Sequence, residues 1–272
     1  MLSKFDAVLL IPGWGCPAQW LAGLGTQLAT HFDTQYHLVD LPGMGVDDHE
    51  CTTLYESTSG AYNQLVNCWL SALSSQWLGK RLLIVGWSYG GMLASKLMYE
   101  SLTCQENQSR LITLGSSSQF LADAQNVTES LVYMSMDTAD AFYKRVEQDP
   151  TMALNYFLSL MARGEPRNRW MHLRSEIQSV TYADVDSFKR WLLCESLKHL
   201  YALRLQNEWS CLKSRGVLDA LFFEQDSLMP SKPEICLDKA YHRMVGGHLA
   251  PVISSSDVSN KIINVLNSQS IQ

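Results

Sequence analysis

Three residues in a fixed order have the types that nucleophilic catalysis needs: Ser88, Asp226 and His248. Ser88 is the centre of Gly86-Trp87-Ser88-Tyr89-Gly90, a G-x-S-x-G motif. A serine hydroxyl is a weak nucleophile and needs a base that is itself oriented by a third group. The motif gains meaning from its flanks. Leu82–Val85 is an apolar run of strand length, and Met92, Leu93, Leu97 and Met98 recur at helical spacing. A strand, a tight turn and a helix would hold Ser88 at the turn's tip in a strained conformation, its hydroxyl projecting past the strand end. Gly86 and Gly90 leave room there for neighbouring backbone, and the helix N-terminus favours negative charge nearby.

The partners follow downstream. Asp226 lies in Glu224-Gln225-Asp226-Ser227-Leu228-Met229-Pro230, just past a late strand, and His248 lies in Gly246-Gly247-His248-Leu249-Ala250-Pro251, just past the last one. Both are loops at strand ends, where open parallel sheets build their sites. Asp226 has rivals in Glu224 and Asp219; His248 has rivals in His172, His199 and His242. Acyl transfer also needs donors aimed at the developing oxyanion. The backbone N–H of Tyr89 is one, and the turn Pro12-Gly13-Trp14-Gly15 supplies a second, for which Trp14 is preferred because proline has no N–H.

The elements that must position these groups alternate. Val8–Ile11 and Tyr36–Val39 read as strands, with a helix over Trp20–Thr30 between them. A helix over Tyr62–Leu73 precedes the Ser88 strand, and Arg110–Leu114 forms the strand after its helix. The rhythm stops near Phe120 and resumes at Val217–Phe223, followed by a helix near Pro233–Lys239, a strand at Tyr241–Val245 and a helix at Val258–Leu266. The fold class is therefore α/β, a doubly wound, mostly parallel sheet covered on both faces. The core spans 1–119 and 212–272, and residues 120–211 form an inserted helical cap over the strand ends, with apolar stripes such as Ala139, Phe142, Tyr143 and Val146.

Composition narrows the class. The 272 residues are 46% hydrophobic and 18% charged, with net charge −6, the balance of a soluble globular enzyme. That charge argues against a general nucleic-acid binder, and no apolar run reaches membrane-spanning length. Seven cysteines without a C-x-x-C pair imply reduced thiols in a cytoplasmic protein rather than a zinc site.

The ordered set Pro-Gly-Trp-Gly, Asp40-Leu41-Pro42-Gly43-Met44-Gly45, Gly-Trp-Ser-Tyr-Gly-Gly, Ser116-Ser117-Ser118-Gln119-Phe120, Asp226 to Pro230 and His248 resembles the α/β-hydrolase superfamily. Within it the chain looks like the pimeloyl-acyl-carrier-protein methyl ester esterases of biotin synthesis. That family typically shows Gly-Trp-Ser-Leu-Gly-Gly at the nucleophile. The resemblance implies a serine carboxylesterase with Ser88 as nucleophile, His248 as base and Asp226 as its orienter, needing no cofactor and no metal. It further implies that Trp14 and Tyr89 line the oxyanion hole, that Trp87 stands beside the acyl chain, and that Phe157, in Phe-Leu-Ser-Leu, faces the substrate. The wider alternatives are a broad small-ester carboxylesterase, a carbon–carbon bond hydrolase, or a binding protein that kept the fold.

Departures mark a divergent branch. Pro12 stands where the family has histidine, Phe223 where glycine is common, and Gly45-Val46-Asp47-Asp48 lacks the usual Arg-Ser. The strand pair that normally precedes the first strand is missing, so the sheet should be shorter at that edge. The resemblance also implies an acidic acyl carrier protein as partner, received by cap arginines. Arg163, Arg167, Arg169 and Arg174 are the candidates, since guanidinium groups suit forked contacts to anions. The expected form is a monomer, with neither nucleic acid nor membrane as a partner.

Overall fold

Short runs of Val, Leu and Ile become strands buried along their length, and their neighbours wrap them on both faces. The computed structural model describes residues 5–44, 60–102, 109–121, 134–168, 170–171, 185–229 and 239–269. Six strands, β1 (Ala7–Ile11), β2 (Gln35–Leu38), β3 (Leu82–Trp87), β4 (Arg110–Leu114), β5 (Leu218–Phe223) and β6 (Tyr241–Met244), form one sheet in the order β2-β1-β3-β4-β5-β6. Every pairing is parallel. Every residue of β1, β3 and β5 is buried, whereas the edge strands β2 and β6 are partly open. This is the pattern of a parallel sheet covered on both sides. With β2 at the edge, no described strand precedes β1 in the sheet.

Helices α1 (Ala22–Phe32) and α8 (Ser255–Gln269) pack together on one face; α2 (Ala61–Gln76), α3 (Tyr89–Leu102) and α7 (Gln206–Ser214) cover the other. The expected helix over Trp20–Thr30 divides into a 3₁₀ turn at Ala18–Leu21, opened by the Trp20 N–H to Pro17 carbonyl bond, and α1 proper. The helix expected near Pro233–Lys239 falls outside the described residues, apart from Lys239 in a turn. Winding runs one way from β1 to β2 and the other way from β1 to β3. That places the topological switch, where such sheets leave a crevice, between the turn after β1 and the turn carrying Ser88.

Helices α4 (Met136–Gln148), α5 (Pro150–Met161) and α6 (Ser187–Ala202) belong to the inserted stretch. The chain departs and returns at one point: Gln119 and Arg204 form an antiparallel bridge, and the Leu205 N–H donates to the Ser118 carbonyl at 2.8 Å. The expected boundary at 211–212 falls inside α7, which packs on α3 and β5.

Two sets of contacts fasten this cap to the sheet's loops. At the end of α5, the Leu249 N–H donates to the Met161 carbonyl (3.2 Å), the Ser227 hydroxyl to the Leu160 carbonyl (2.9 Å) and the Gly247 N–H to Glu165 Oε1 (2.5 Å). Gly164 makes this approach possible, with φ +86° and no room for a β-carbon, which would strike Gln225 Cβ. From α6, Ser196 Oγ and the Leu193 carbonyl accept from the Trp14 indole N–H at 2.9 and 3.2 Å. His199 Nδ1 lies 2.8 Å from the Tyr89 hydroxyl, which in turn lies 3.4 Å from that of Tyr62. Burial, then the charge of Lys96, lowers the His199 pKa to about 4, so a neutral imidazole shares the hydrogen bond with Tyr89, its tautomer deciding which group donates.

Two outcomes follow for stability. Gly164→Ala puts a β-carbon into Gln225 at a left-handed backbone position, and should lower the unfolding free energy read from urea melts by more than the ~1 kcal/mol typical of a tolerated glycine change. For His199, the unfolded chain binds the proton more readily than the folded one, so stability rises with pH from about 4 to 6.5. Denaturation midpoints at pH 7 and pH 4.5 should therefore fall further in the wild type than in His199→Gln, which cannot titrate; equal falls would show that the ring bears no such load.

Candidate active site

Ser88 sits between β3 and α3 with φ +54°, a left-handed conformation that a residue bearing a β-carbon rarely adopts. Its neighbours hold it there. The Ser88 N–H donates to the Leu114 carbonyl at 2.8 Å, and the Ser88 carbonyl accepts from the Gly91 N–H at 2.9 Å. Side chains are excluded around the turn: a β-carbon on Gly86 would come within 2.5 Å of the Gly91 α-carbon, and one on Gly90 would strike the Ile11 and Pro12 carbonyls. The turn and the end of β1 are thus pressed together, with only glycine fitting between them.

A buried pair lies past the ends of β5 and β6, against Gly115, the residue after the carbonyl that holds the Ser88 N–H. His248 Nδ1 is 2.7 Å from Asp226 Oδ2, and both residues are buried. Asp226 Oδ1 accepts from the backbone N–H groups of Leu228 (2.8 Å) and Met229 (2.9 Å), which fixes the carboxylate's plane. Gly115, just after β4 and also left-handed at φ +51°, brings its backbone against both groups; a β-carbon there would lie 3.1 Å from Asp226 Oδ2 and 3.2 Å from His248 Nδ1. His248 Nε2 is buried and makes no hydrogen bond to a described residue. With Nδ1 engaged by the carboxylate, Nε2 is the nitrogen left to exchange a proton.

The rival acids and histidines have other occupations. Asp219 and His242 pair with each other at 2.9 Å, and Asp219 also takes Arg110 at 2.5 Å, near the start of β5 rather than past its end. Glu224 lies 4.0 Å from Arg243. His199 is the cap residue bonded to Tyr89, and His172 lies outside the described residues.

Two backbone donors face the same turn. The N–H groups of Trp14 and Tyr89 make no hydrogen bond to a described residue, Tyr89 being the first residue of α3, where helices leave N–H groups unpaired. A β-carbon on Gly13 would stand 3.2 Å from Ser88 Cβ, so the turn after β1 lies against the serine. The side chains do other work: the Tyr89 ring is buried toward Tyr62 and His199, and the Trp14 indole is clamped by α6.

Above Ser88 is an apolar cavity of about 110 Å³, lined among others by Trp14, Phe142, Phe157, Leu160 and Leu228. Phe157 stacks edge-on against Trp14 at 5.2 Å between ring centroids. Trp87 corrects its expected place beside an acyl chain. It is fully buried, does not line the cavity, and donates its indole N–H to the His248 carbonyl at 3.0 Å with its ring 5.7 Å from the imidazole. It is the last residue of β3, and its ring packs against the imidazole of His248 rather than on the cavity wall.

Of the four arginines expected to meet a carrier, Arg163 and Arg167 are exposed, and Arg169 and Arg174 lie outside the described residues. No group of three potential metal ligands occurs among the described residues, nor any helix long and apolar enough to cross a membrane. Three positioning residues had no local signal in the sequence: Glu165, Ser196 and His199 reach the site from far along the chain. Arg145, which also lines the cavity, did have one, because Thr138, Ala141, Phe142 and Arg145 recur at the spacing of a single helix face.

Comparison with known proteins agrees with this fold. The chain is 27% identical over 245 residues to the pimeloyl-[acyl-carrier protein] methyl ester esterase of Aeromonas salmonicida, covering 86% of this chain and 87% of that protein. It is 26% identical over 257 residues to the enzyme of that name from Aliivibrio fischeri, covering 92% and 89%. Among solved structures, an esterase from Exiguobacterium antarcticum superposes with a TM-score of 0.72 at 17% identity, over 98% of this chain and 93% of that one; at that identity the likeness is one of fold. Residues 8–258 match the alpha/beta hydrolase family, and the chain belongs to it.

Proposed function

We propose that the chain is a serine carboxylesterase acting on the methyl ester of a pimeloyl group carried by an acyl carrier protein. The observation that carries the catalytic part is the buried Asp226–His248 pair, with Nε2 free, beside a serine held left-handed at a strand end. The names borne by the relatives and the apolar cavity above Ser88 support the substrate.

In this reading Ser88 Oγ attacks the ester carbonyl while His248 Nε2 takes its proton. Asp226 holds the ring in the tautomer with the proton on Nδ1 and stabilises the imidazolium that forms. The Trp14 and Tyr89 N–H groups meet the oxyanion, and because the protein already aims them they need no reorganisation as charge develops. The imidazolium then protonates the methoxide as it leaves, giving methanol and an acyl-enzyme. Water, deprotonated by His248, attacks that ester, and its collapse returns the proton to Ser88 and frees the carboxylate. The cap excludes bulk water from the acyl chain through Phe142, Phe157 and Leu160. Carrier docking falls to the exposed Arg163 and Arg167, with Arg169 and Arg174 beyond them in sequence.

Ser88→Ala and His248→Ala should each lower turnover of a methyl ester by about 10³-fold or more, with little further loss in the double variant, because the groups act as a unit. Asp226→Asn should fold yet lose activity on a similar scale. A fluorophosphonate should label Ser88 in the wild type only. A wild type that neither labels nor turns over esters would make the chain a binding protein, and near-normal turnover in Asp226→Asn would move the orienting role to Glu224.

The docking surface has its own test. Arg163→Glu together with Arg167→Glu should lower kcat/KM for a carrier-bound methyl ester while leaving a small soluble ester within about two-fold. Salt should reproduce part of that loss in the wild type, since screening shortens the reach of exposed charges to about 8 Å near physiological ionic strength. Equal losses on both substrates would indicate a disturbed cap, and no loss on either would favour a small-ester carboxylesterase.

A further inference from the structure

One cation lines the cavity above Ser88, and among the described residues no acid pairs with it. Arg145 reaches the lining from the exposed side of α4, whereas Ser88 is buried at the other end. Between them the wall is apolar: Phe142, Phe157, Leu160 and Leu200. The lack of a partner is not for want of acids, because Asp137, Asp140, Glu147 and Asp149 lie on or next to the same helix. Asp149 stands four residues on, a spacing at which helical ion pairs form readily. It is diverted: its Oδ1 caps α5 by accepting from the Met152 N–H at 2.9 Å.

The guanidinium is held by something else. Its central carbon lies 4.7 Å from the centroid of the Tyr156 ring, another residue of the cavity wall. Stacking on an aromatic face restrains the plane of an arginine while leaving its N–H edge unspent, and that edge matches the two oxygens of a carboxylate or phosphate. In a protein of net charge −6, a cation held over an aromatic face, deprived of its helical acid and exposed at the wall of an apolar chamber has the features of a binding group.

We propose that Arg145 is an anion subsite that takes a carboxylate or phosphate borne at the end of the substrate's apolar chain remote from the ester. The proposal rests on the reading of Ser88 as the nucleophile toward that ester. It assigns the substrate class as a two-ended amphiphile, with a neutral ester going to Ser88, a methylene chain filling the cavity and an oxyanion at the rim. Carboxylate and phosphate share this chemistry. The first would come from a free half-ester of a dicarboxylic acid, the second from a phosphate-bearing prosthetic arm.

Three methyl esters of matched length test it, ending in a carboxylate, a phosphate monoester or a methyl group, each assayed with the wild type, Arg145→Met and Arg145→Lys. The wild type should favour an anionic ester by about ten-fold or more in kcat/KM, as expected for a hydrogen-bonded charge pair. Arg145→Met should abolish that preference through KM, keep kcat on the neutral ester within about two-fold, and melt at the wild-type temperature. Arg145→Lys should restore part of the preference. The better of the two anions identifies the source.

Calorimetric binding of the same esters to Ser88→Ala, with and without Arg145→Met, reads the subsite independently of turnover. Anion-selective binding that needs Arg145 would uphold the subsite even if no ester were hydrolysed, in which case the esterase reading alone would fall. A wild type indifferent to the end group, or a preference that survives in Arg145→Met, overturns the proposal.

Discussion

A left-handed serine at φ +54° is costly for a residue with a β-carbon, of order 1 kcal/mol or more, and it persists only because the surroundings leave it no alternative. The Leu114 carbonyl fixes its N–H, the Gly91 N–H fixes its carbonyl, and the glycines at 86, 90 and 91 let the strand ends and the helix start close to distances that any side chain would forbid. The rest of the site inherits this constraint. Gly90 against the Ile11 and Pro12 carbonyls brings the turn after β1 up to Ser88, and Gly115 brings the end of β4 up to Asp226 and His248. A parallel sheet supplies the strand ends on one side; close backbone approach at a few glycines turns those ends into a site.

The cap extends the same logic from outside the sheet. Its α5 end grips the loops of Asp226 and His248 through Met161, Leu160 and Glu165, while α6 grips Trp14 and Tyr89 through Ser196 and His199. The loops of Asp226 and His248, and both Trp14 and Tyr89, are therefore each tied to the inserted segment. Tyr89 stands where the resembling esterases have leucine, and its hydroxyl finds its partner in His199. That pair fills a junction with polar groups that must stay matched, since an unpaired buried hydroxyl costs about 1–3 kcal/mol.

Much of this was legible in the sequence because the signals were local. Val8–Ile11 and Leu82–Val85 could only be buried strands, Gly-Trp-Ser-Tyr-Gly carried its own flanks, and Asp226 and His248 each followed a strand in the order that parallel sheets impose. What was not legible depended on which way a side chain faces or on pairing across long separations. Trp87 was expected against the substrate, yet its buried indole N–H is taken by the His248 carbonyl and its ring lies off the cavity lining. Ser196 meets Trp14 across 182 residues of chain, and His199 meets Tyr89 across 110. The boundary expected at 211 falls inside α7, whose buried Trp209 and Leu212 belong to the layer against α3 and β5.

The bridge between Gln119 and Arg204 has an evolutionary side. Because the insertion leaves and re-enters the core at adjoining residues, the sheet meets it as a closed loop whose length its strand register does not sense. The entropic cost of closing such a loop grows only by about 0.6 kcal/mol for each doubling of length. Lineages can therefore lengthen, shorten or exchange the segment between those two residues while β4 and β5 stay in register, provided the newcomer still meets the catalytic loops. The depth of the chamber over Ser88, and with it the length of chain a descendant enzyme accepts, can then drift independently of the chemistry beneath.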